Sequence, residues 1–219
     1  MTTEQKEFKK IIDSINNNKL RAIALEAYTR IPKYFWHAPA SSSGKYHPEY
    51  SLGDGGVARH TLSAYWYLMN LATTNKQSYL VEMTNSAPVE DAHYIDGIYK
   101  KIKDFDISQK TRETMAVAIL FHDTRKSGTQ AEYKLDKNTK FLHPVFAADV
   151  FLKIGREHPE WYIECHHIAG LIMTHMGIWT KSNYTTATLT KPHTKGQLLV
   201  HLADYLASRK YLARCESIQ

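Results

Sequence analysis

The sequence predicts an all-α fold: a single-domain helical bundle of seven or more helices. Two observations carry this. Over most of the 219 residues the apolar positions recur three and four apart, and strand-like alternation is scarce, with no internal repeat. The third observation concerns function. The apolar run Ala116-Val117-Ala118-Ile119-Leu120-Phe121 stops abruptly on an adjacent imidazole and carboxylate, His122-Asp123. An apolar helix buries itself, and a charged pair buried at its end needs a partner, for which a metal cation suits both side chains at once. The alternative is a helix end at which both residues face water.

Taken in order, residues 4–15 and 20–31 read as two amphipathic helices, with Phe8, Ile11, Ile12 and Ile15 on one stripe and Asn16-Asn17-Asn18 as the breaker. They form an N-terminal helical pair over residues 1–33, which Pro32 closes. Residues 34–56 form a long loop rich in serine, glycine and proline. Its aromatic residues Tyr34, Phe35, Trp36, Tyr46 and Tyr50 argue for order and function rather than disorder. The remainder, residues 57–219, is expected to be the helical core. Residues 57–71 predict a helix with His60 in its first turn. Residues 73–104 predict one or two short helices joined by a turn at 85–88.

Residues 111–121 lead into His122-Asp123. Residues 125–141, polar and containing Gly128, read as a loop or small β-excursion. His143-Pro144 opens a helix to about 154, proline fitting the first turn where its missing N–H costs little. Residues 161–176 form a further helix, on which His167, Leu171 and His175 recur at four-residue steps. Residues 177–194 are an irregular connection, and 197–214 the closing helix.

Composition bounds the possibilities. A chain this long buries a full core without disulfides, and its two cysteines, Cys165 and Cys215, form no disulfide or zinc-finger framework. Both read as small buried groups in a reducing compartment. No apolar run approaches membrane-spanning length and the N-terminus carries no signal-peptide core, so a soluble, cytoplasmic protein is expected. The net charge of +6 is spread along the chain, which suits an anionic ligand without specifying one. A nucleophile-elbow Gly-x-Ser-x-Gly and a phosphate-cradling glycine loop are both missing, which disfavours covalent esterase chemistry and kinase or ATPase activity.

The twelve histidines are the informative excess. His60, the His122-Asp123 pair, His143, His175 and Asp204 each fall on an apolar helix face or at a helix end. Asp204 is flanked by Leu202, Ala203 and Leu206, where an unpaired carboxylate would be costly. It should be hydrogen-bonded, salt-bridged or metal-bound. His166 and His167, about 100° apart on a helix, cannot both face one metal.

The order His60, His122-Asp123, Asp204 resembles the HD superfamily of metal-dependent phosphohydrolases, an all-helical fold. Ala38-Pro39-Ala40, His47-Pro48-Glu49-Tyr50 and Gly55-Gly56-Val57-Ala58-Arg59-His60-Thr61-Leu62 are similar to the segment that opens the HD domain of YhaM-type 3′→5′ exoribonucleases. Ile119-Leu120-Phe121-His122-Asp123 matches the central motif, His143 with Phe146-Ala147-Ala148 the next histidine-bearing helix, and Ile172-Met173-Thr174-His175-Met176-Gly177 a later histidine–glycine motif. The chain departs from that pattern at Arg125, where the family has glycine, and at Thr174-His175-Met176, where one of two imidazoles is missing. Those enzymes also carry a nucleic-acid-binding domain in front, whereas only the helical pair is expected ahead of Ala38 here.

The resemblance implies a divalent transition metal, one or two ions, with manganese expected first and iron, nickel, cobalt or zinc as alternatives. His60, His122, Asp123 and Asp204 would hold the first, and Asp123 would bridge to a second held by His143 and His175. Asp123 and Lys126 are the expected catalytic residues, with Lys126, Arg125, Trp179 and Tyr50 as candidate substrate contacts. The expected reaction is hydrolysis of a phosphodiester bond in a nucleic acid or nucleotide by metal-activated water, with a nucleotide or single-stranded nucleic acid as partner. The alternatives are a nucleotidase or (d)NTP triphosphohydrolase, and a sensor that binds a nucleotide without turnover.

Overall fold

The computed structural model describes residues 1–41, 44–73, 76–85, 87–129 and 139–212. Among these it contains nine helices and no strand. They are α1 (Thr3–Asp13), α2 (Asn18–Thr29), α3 (Gly56–Thr73), α4 (Lys76–Thr84), α5 (Val89–Ile102), α6 (Gln109–Phe121), α7 (His143–Glu157), α8 (Tyr162–Met173) and α9 (Lys195–Ala207). The expected all-α bundle is what the chain forms. The expected β-excursion falls largely on residues 130–138, and Cys215 with the end of the expected last helix on 213–219, outside the described residues. Within them α9 ends at Ala207 and a short 3₁₀ turn, Lys210–Leu212, follows.

Local chemistry sets the helix starts. Thr2 and Gln5 form a capping box on α1, Thr194 and Gln197 one on α9, and Asn17, inside the expected breaker, accepts from the Leu20 amide as the cap of α2. The helices bury two apolar clusters. The first gathers Phe8, Ile12, Leu20, Phe35, Phe121 and Phe151; the second gathers Leu68, Ile95, Ile102, Leu199, Leu202 and Leu206.

Helix α6 is the wedge between the two. Val117, Leu120 and Phe121 enter the first cluster, Met115 and Ile119 the second, and every residue from Met115 to Phe121 is buried. That explains why its apolar run shows no polar face: a helix covered on all sides carries no amphipathic stripe. The His122-Asp123 pair is thereby delivered to the junction of the two cores.

The N-terminal pair belongs to this core rather than sitting beside it. Phe8 meets Phe121 edge to face, with centroids 5.4 Å apart. The first part of the long loop is also core, since Tyr34, Phe35 and Trp36 are buried in a 3₁₀ turn. The buried carboxylate of Glu113 on α6 accepts from the backbone amides of Asn16 and Asn17, 3.1 and 3.0 Å away, tying α6 to the start of α2. Burial pushes the Glu113 carboxyl up, but the bonds from Gln109 and those amides outweigh it and hold it below the usual glutamate value.

Replacing Glu113 with alanine leaves those amides without their acceptor and should cost about 1–3 kcal/mol in urea unfolding at neutral pH. Because the folded-state pKa is depressed, this stabilisation is complete above the usual glutamate value and lost as the pH falls through the lowered one, so wild type and variant should converge in acid. A constant difference down to acid pH contradicts the assignment.

Candidate metal centre

Six residues foreseen as ligands are brought together by five segments. His60 comes from α3, His122 and Asp123 from the end of α6, His143 from the first residue of α7, His175 from the turn after α8, and Asp204 from α9. Here one expectation is corrected. Helix α8 stops at Met173, so His175 lies beyond it, and His167 does not share its face; it lines another part of the surface.

The Asp123 carboxylate is the hub, only 2% exposed. Its Oδ1 lies 3.0 Å from His143 Nε2 and 3.7 Å from His175 Nε2. Its Oδ2 lies 3.6 Å from His122 Nε2 and 3.9 Å from His60 Nε2, and it takes an ion-paired hydrogen bond from Lys126. Asp204 Oδ1 adds contacts of 2.9 Å to His60 and 3.3 Å to His122. Two groups of ligand atoms therefore close on one another within 4.8 Å, His60 with His122 and Asp204, and His122 with Asp123 and His175.

The imidazole tautomers follow from the backbone. The Nδ1 atoms of His122, His143 and His175 sit 2.6, 2.8 and 2.8 Å from the carbonyls of Ile119, Lys140 and Ile172. A carbonyl only accepts, so each Nδ1 carries a proton and each ring turns its Nε2 toward the carboxylates, as a lone pair whenever the ring is neutral. This is how metal-binding histidines are held by their surroundings. His143 Nε2 and His175 Nε2 then face each other at 3.1 Å, an arrangement of two lone pairs that calls for a cation. In agreement, His122 Nε2 and Asp123 Oδ1 are buried without a hydrogen-bond partner. The donor set fits a divalent cation.

The electrostatics point the same way. Burial pushes the Asp123 carboxyl up, but the Lys126 ammonium and His122 hold it well below the usual carboxylate range; Asp204 is likewise held down, by His122 and His60. Burial opposes charge on His122, yet the two carboxylates raise its pKa. For His175, burial with His122 and His143 close by lowers it to about 3, so that ring is neutral.

Apart from His122, which is wholly buried, these residues line a cleft of about 550 Å³. Lys126 and Trp179, both foreseen, line it, but Arg125 and Tyr50 do not. The Arg125 guanidinium turns away to donate to the Arg30 carbonyl at 2.7 Å, and Tyr50 donates to Ser63 Oγ at 2.7 Å. The expectation that these two contact substrate is corrected accordingly: Arg125 is engaged by the Arg30 backbone and Tyr50 by the Ser63 side chain.

His47, His201, Tyr205 and Arg209 are cleft residues that were not singled out, and Tyr46, one of the loop aromatics expected to be functional, lines the cleft with them. Arg209 lies over the Tyr205 ring at 4.0 Å and the Tyr46 ring at 5.4 Å, and Trp179 stacks on Tyr205 at 5.7 Å and 13°. The tail of α9 shows only helical periodicity in the sequence, so nothing marked Tyr205 or Arg209. His47 lies in the His47-Pro48-Glu49-Tyr50 motif. Burial, with His60 and Lys126 nearby, lowers its pKa to about 3.

His201 donates from Nδ1 to the His175 carbonyl at 2.6 Å and accepts the Tyr94 hydroxyl at Nε2 at 2.7 Å, fixing the turn that carries His175. Gly177, at φ +65°, permits this, since a Cβ there would come 2.2 Å from the His201 ring. A second cavity of about 540 Å³ beside α6, α8 and α9 holds none of these ligands, and two of its polar groups are already engaged, Gln197 in its capping box and Lys110 with Glu164 at 3.1 Å.

A helical fold with an aspartate hub among imidazoles presents a candidate metal centre. Residues 57–209 match the model of the HD domain, and the chain belongs to the HD domain family. No curated protein and no solved structure matches the chain. Membership implies metal-dependent phosphohydrolase chemistry, and the His/Asp cluster is the candidate site for the divalent cation. Among the described residues no helix is long and apolar enough to cross a membrane.

Replacing Asp123 with alanine should abolish binding of divalent cation, read by elemental analysis of protein loaded and desalted alongside wild type; undiminished metal contradicts the ligand assignment. Gly177→Ala should weaken metal binding while leaving the protein folded, because only the His175 turn is displaced.

Proposed function

We propose that this protein hydrolyses phosphodiester bonds of a nucleic acid or nucleotide, using one or two divalent transition-metal ions, manganese first among them. The observation that carries the reading is the position of Asp123, one carboxylate oxygen toward His143 and His175 and the other toward His60 and His122. A carboxylate presented in this way can serve two cations. Imidazole with carboxylate favours manganese, iron, nickel, cobalt or zinc over magnesium and calcium. Bound there, the metal would supply Lewis acidity toward water and toward the phosphoryl oxygens.

The chain's own residues do the rest. Asp204 and Asp123 remain ionised and hold the imidazoles in place. Lys126, partly buried beside Asp123, offsets charge at the phosphoryl group. Trp179, 44% exposed at the cleft, offers a face on which a base stacks. The motif resemblance to the exoribonuclease HD domain supports phosphodiester cleavage.

A second reading, a nucleotidase or (d)NTP triphosphohydrolase, is favoured by the cleft itself. A volume of about 550 Å³ suits a small ligand, and Glu90 and Asp91 on its wall oppose a long polyanion. The manganese-loaded protein should be incubated with short single-stranded oligonucleotides, cyclic dinucleotides, dNTPs and monophosphates. Cleavage of the first two supports the leading reading, and phosphate or pyrophosphate release from the others the second. No turnover of any, with intact nucleotide recovered from a tight complex, contradicts both and favours a sensor. On the productive substrate, Lys126→Met should lower kcat by about 10²-fold, the scale of one lost transition-state charge contact; an unchanged kcat contradicts its role.

A further inference from the structure

The segment between the second helix and α3 carries one side chain that the proposed reaction has not used. His47 lines the metal cleft together with Asp123, Lys126 and His143, and its ring lies 5.3 Å from that of His60. It belongs to neither group of ligand atoms that close within 4.8 Å.

The loop on either side of it is fastened to α3 and to itself. Arg59, the residue before His60, donates to the carbonyls of Tyr50 and Leu52. The Tyr50 hydroxyl reaches Ser63 on the same helix. The Ala40 amide donates to the Ser51 carbonyl at 3.0 Å, and the Val57 amide to the Ala38 carbonyl at 2.9 Å. Gly56 completes the contact, because a Cβ there would come 2.2 Å from the Ser51 carbonyl oxygen. A loop held this firmly against the helix that bears a metal ligand has lost its conformational entropy in advance, which is the condition for a precise contact.

An imidazole carries at least one N–H in either protonation state, so a histidine in such a place is a hydrogen-bond donor. The anionic oxygens of a phosphoryl group at the metal centre are the matching acceptors. We propose that His47 is a substrate-binding residue that donates a hydrogen bond to a phosphoryl oxygen of the substrate, with Arg59 as its positioning residue. This rests on the metal-centre reading above, and it gives the long loop its purpose: the loop adds a donor to a cleft that Asp123 and His143 also line.

The test uses the full-length protein, manganese and inorganic phosphate as probe, with calorimetry for phosphate, elemental analysis for metal and thermal melting to verify folding. His47→Ala should keep wild-type manganese stoichiometry and melting behaviour while binding phosphate about tenfold more weakly, the effect of one hydrogen bond to a charged group. His47→Gln, which keeps an N–H donor, should recover part of the affinity. Loss of manganese in folded His47→Ala overturns the inference by making the residue a ligand. Equal phosphate affinity in wild type and His47→Ala, or no phosphate binding by manganese-loaded wild type, overturns it while leaving the metal centre standing. Wild-type protein that takes up no manganese overturns both. Should both variants be unstable, the same comparison on Arg59→Lys decides: unaltered phosphate affinity with the loop released overturns the inference.

Discussion

One constraint governs the molecule: the ionised carboxylate of Asp123, almost wholly out of water at the tip of a helix that is itself buried. Removing a carboxylate from solvent costs several kcal/mol even after relaxation, on the order of what a domain has to spare. The surrounding elements are arranged to offset that cost. Four of the five segments contribute an imidazole and Lys126 an ammonium, and α6 is positioned by apolar clusters on both sides so that its end reaches them. What remains uncompensated is local: an unpaired carboxylate oxygen, an unpaired imidazole nitrogen and two imidazole lone pairs face to face. These are conflicts for a protein alone and coordination sites for a cation.

The supporting shell is built from backbone carbonyls one turn back. His122, His143 and His175 each lean on the carbonyl three residues earlier, so the same short-range geometry at three helix ends fixes three tautomers without recruiting other side chains. His201 adds a cross-link by holding the carbonyl of His175 from α9. On the other side, Tyr34 donates to the Gly128 carbonyl at 2.6 Å and Arg125 to that of Arg30, pinning the segment that carries Lys126. The arginine that stands where related motifs have glycine therefore has a structural partner, and its charge is directed away from the cleft.

Much of this was legible in the sequence. The helices and the six ligand candidates follow from periodicity, from a lone carboxylate in an apolar helix and from a motif whose order the fold preserves. Other features were not legible for physical reasons. Helix α8 was expected to continue to residue 176, because Thr174 and Met176 do not break a helix by propensity; the turn is set by Gly177 and the His201 ring packed against it, a contact 24 residues away in sequence that no local pattern encodes. Arg125 and Tyr50 were read as substrate contacts because residue type suggests chemistry, whereas their direction depends on distant partners such as the Arg30 carbonyl and Ser63. The ladder of Tyr46, Arg209, Tyr205 and Trp179 joins three separate segments and appears only once they are folded together.

The central claim is that the cluster around Asp123 holds divalent metal. Crystals of the protein grown with manganese, with anomalous diffraction collected on either side of the manganese absorption edge, test this most directly. The account predicts anomalous density within coordinating distance of Asp123 and of His60, His122 and Asp204, with a second ion toward His143 and His175 if two are bound. Manganese density confined to other parts of the surface, with the cluster filled only by water, would contradict it.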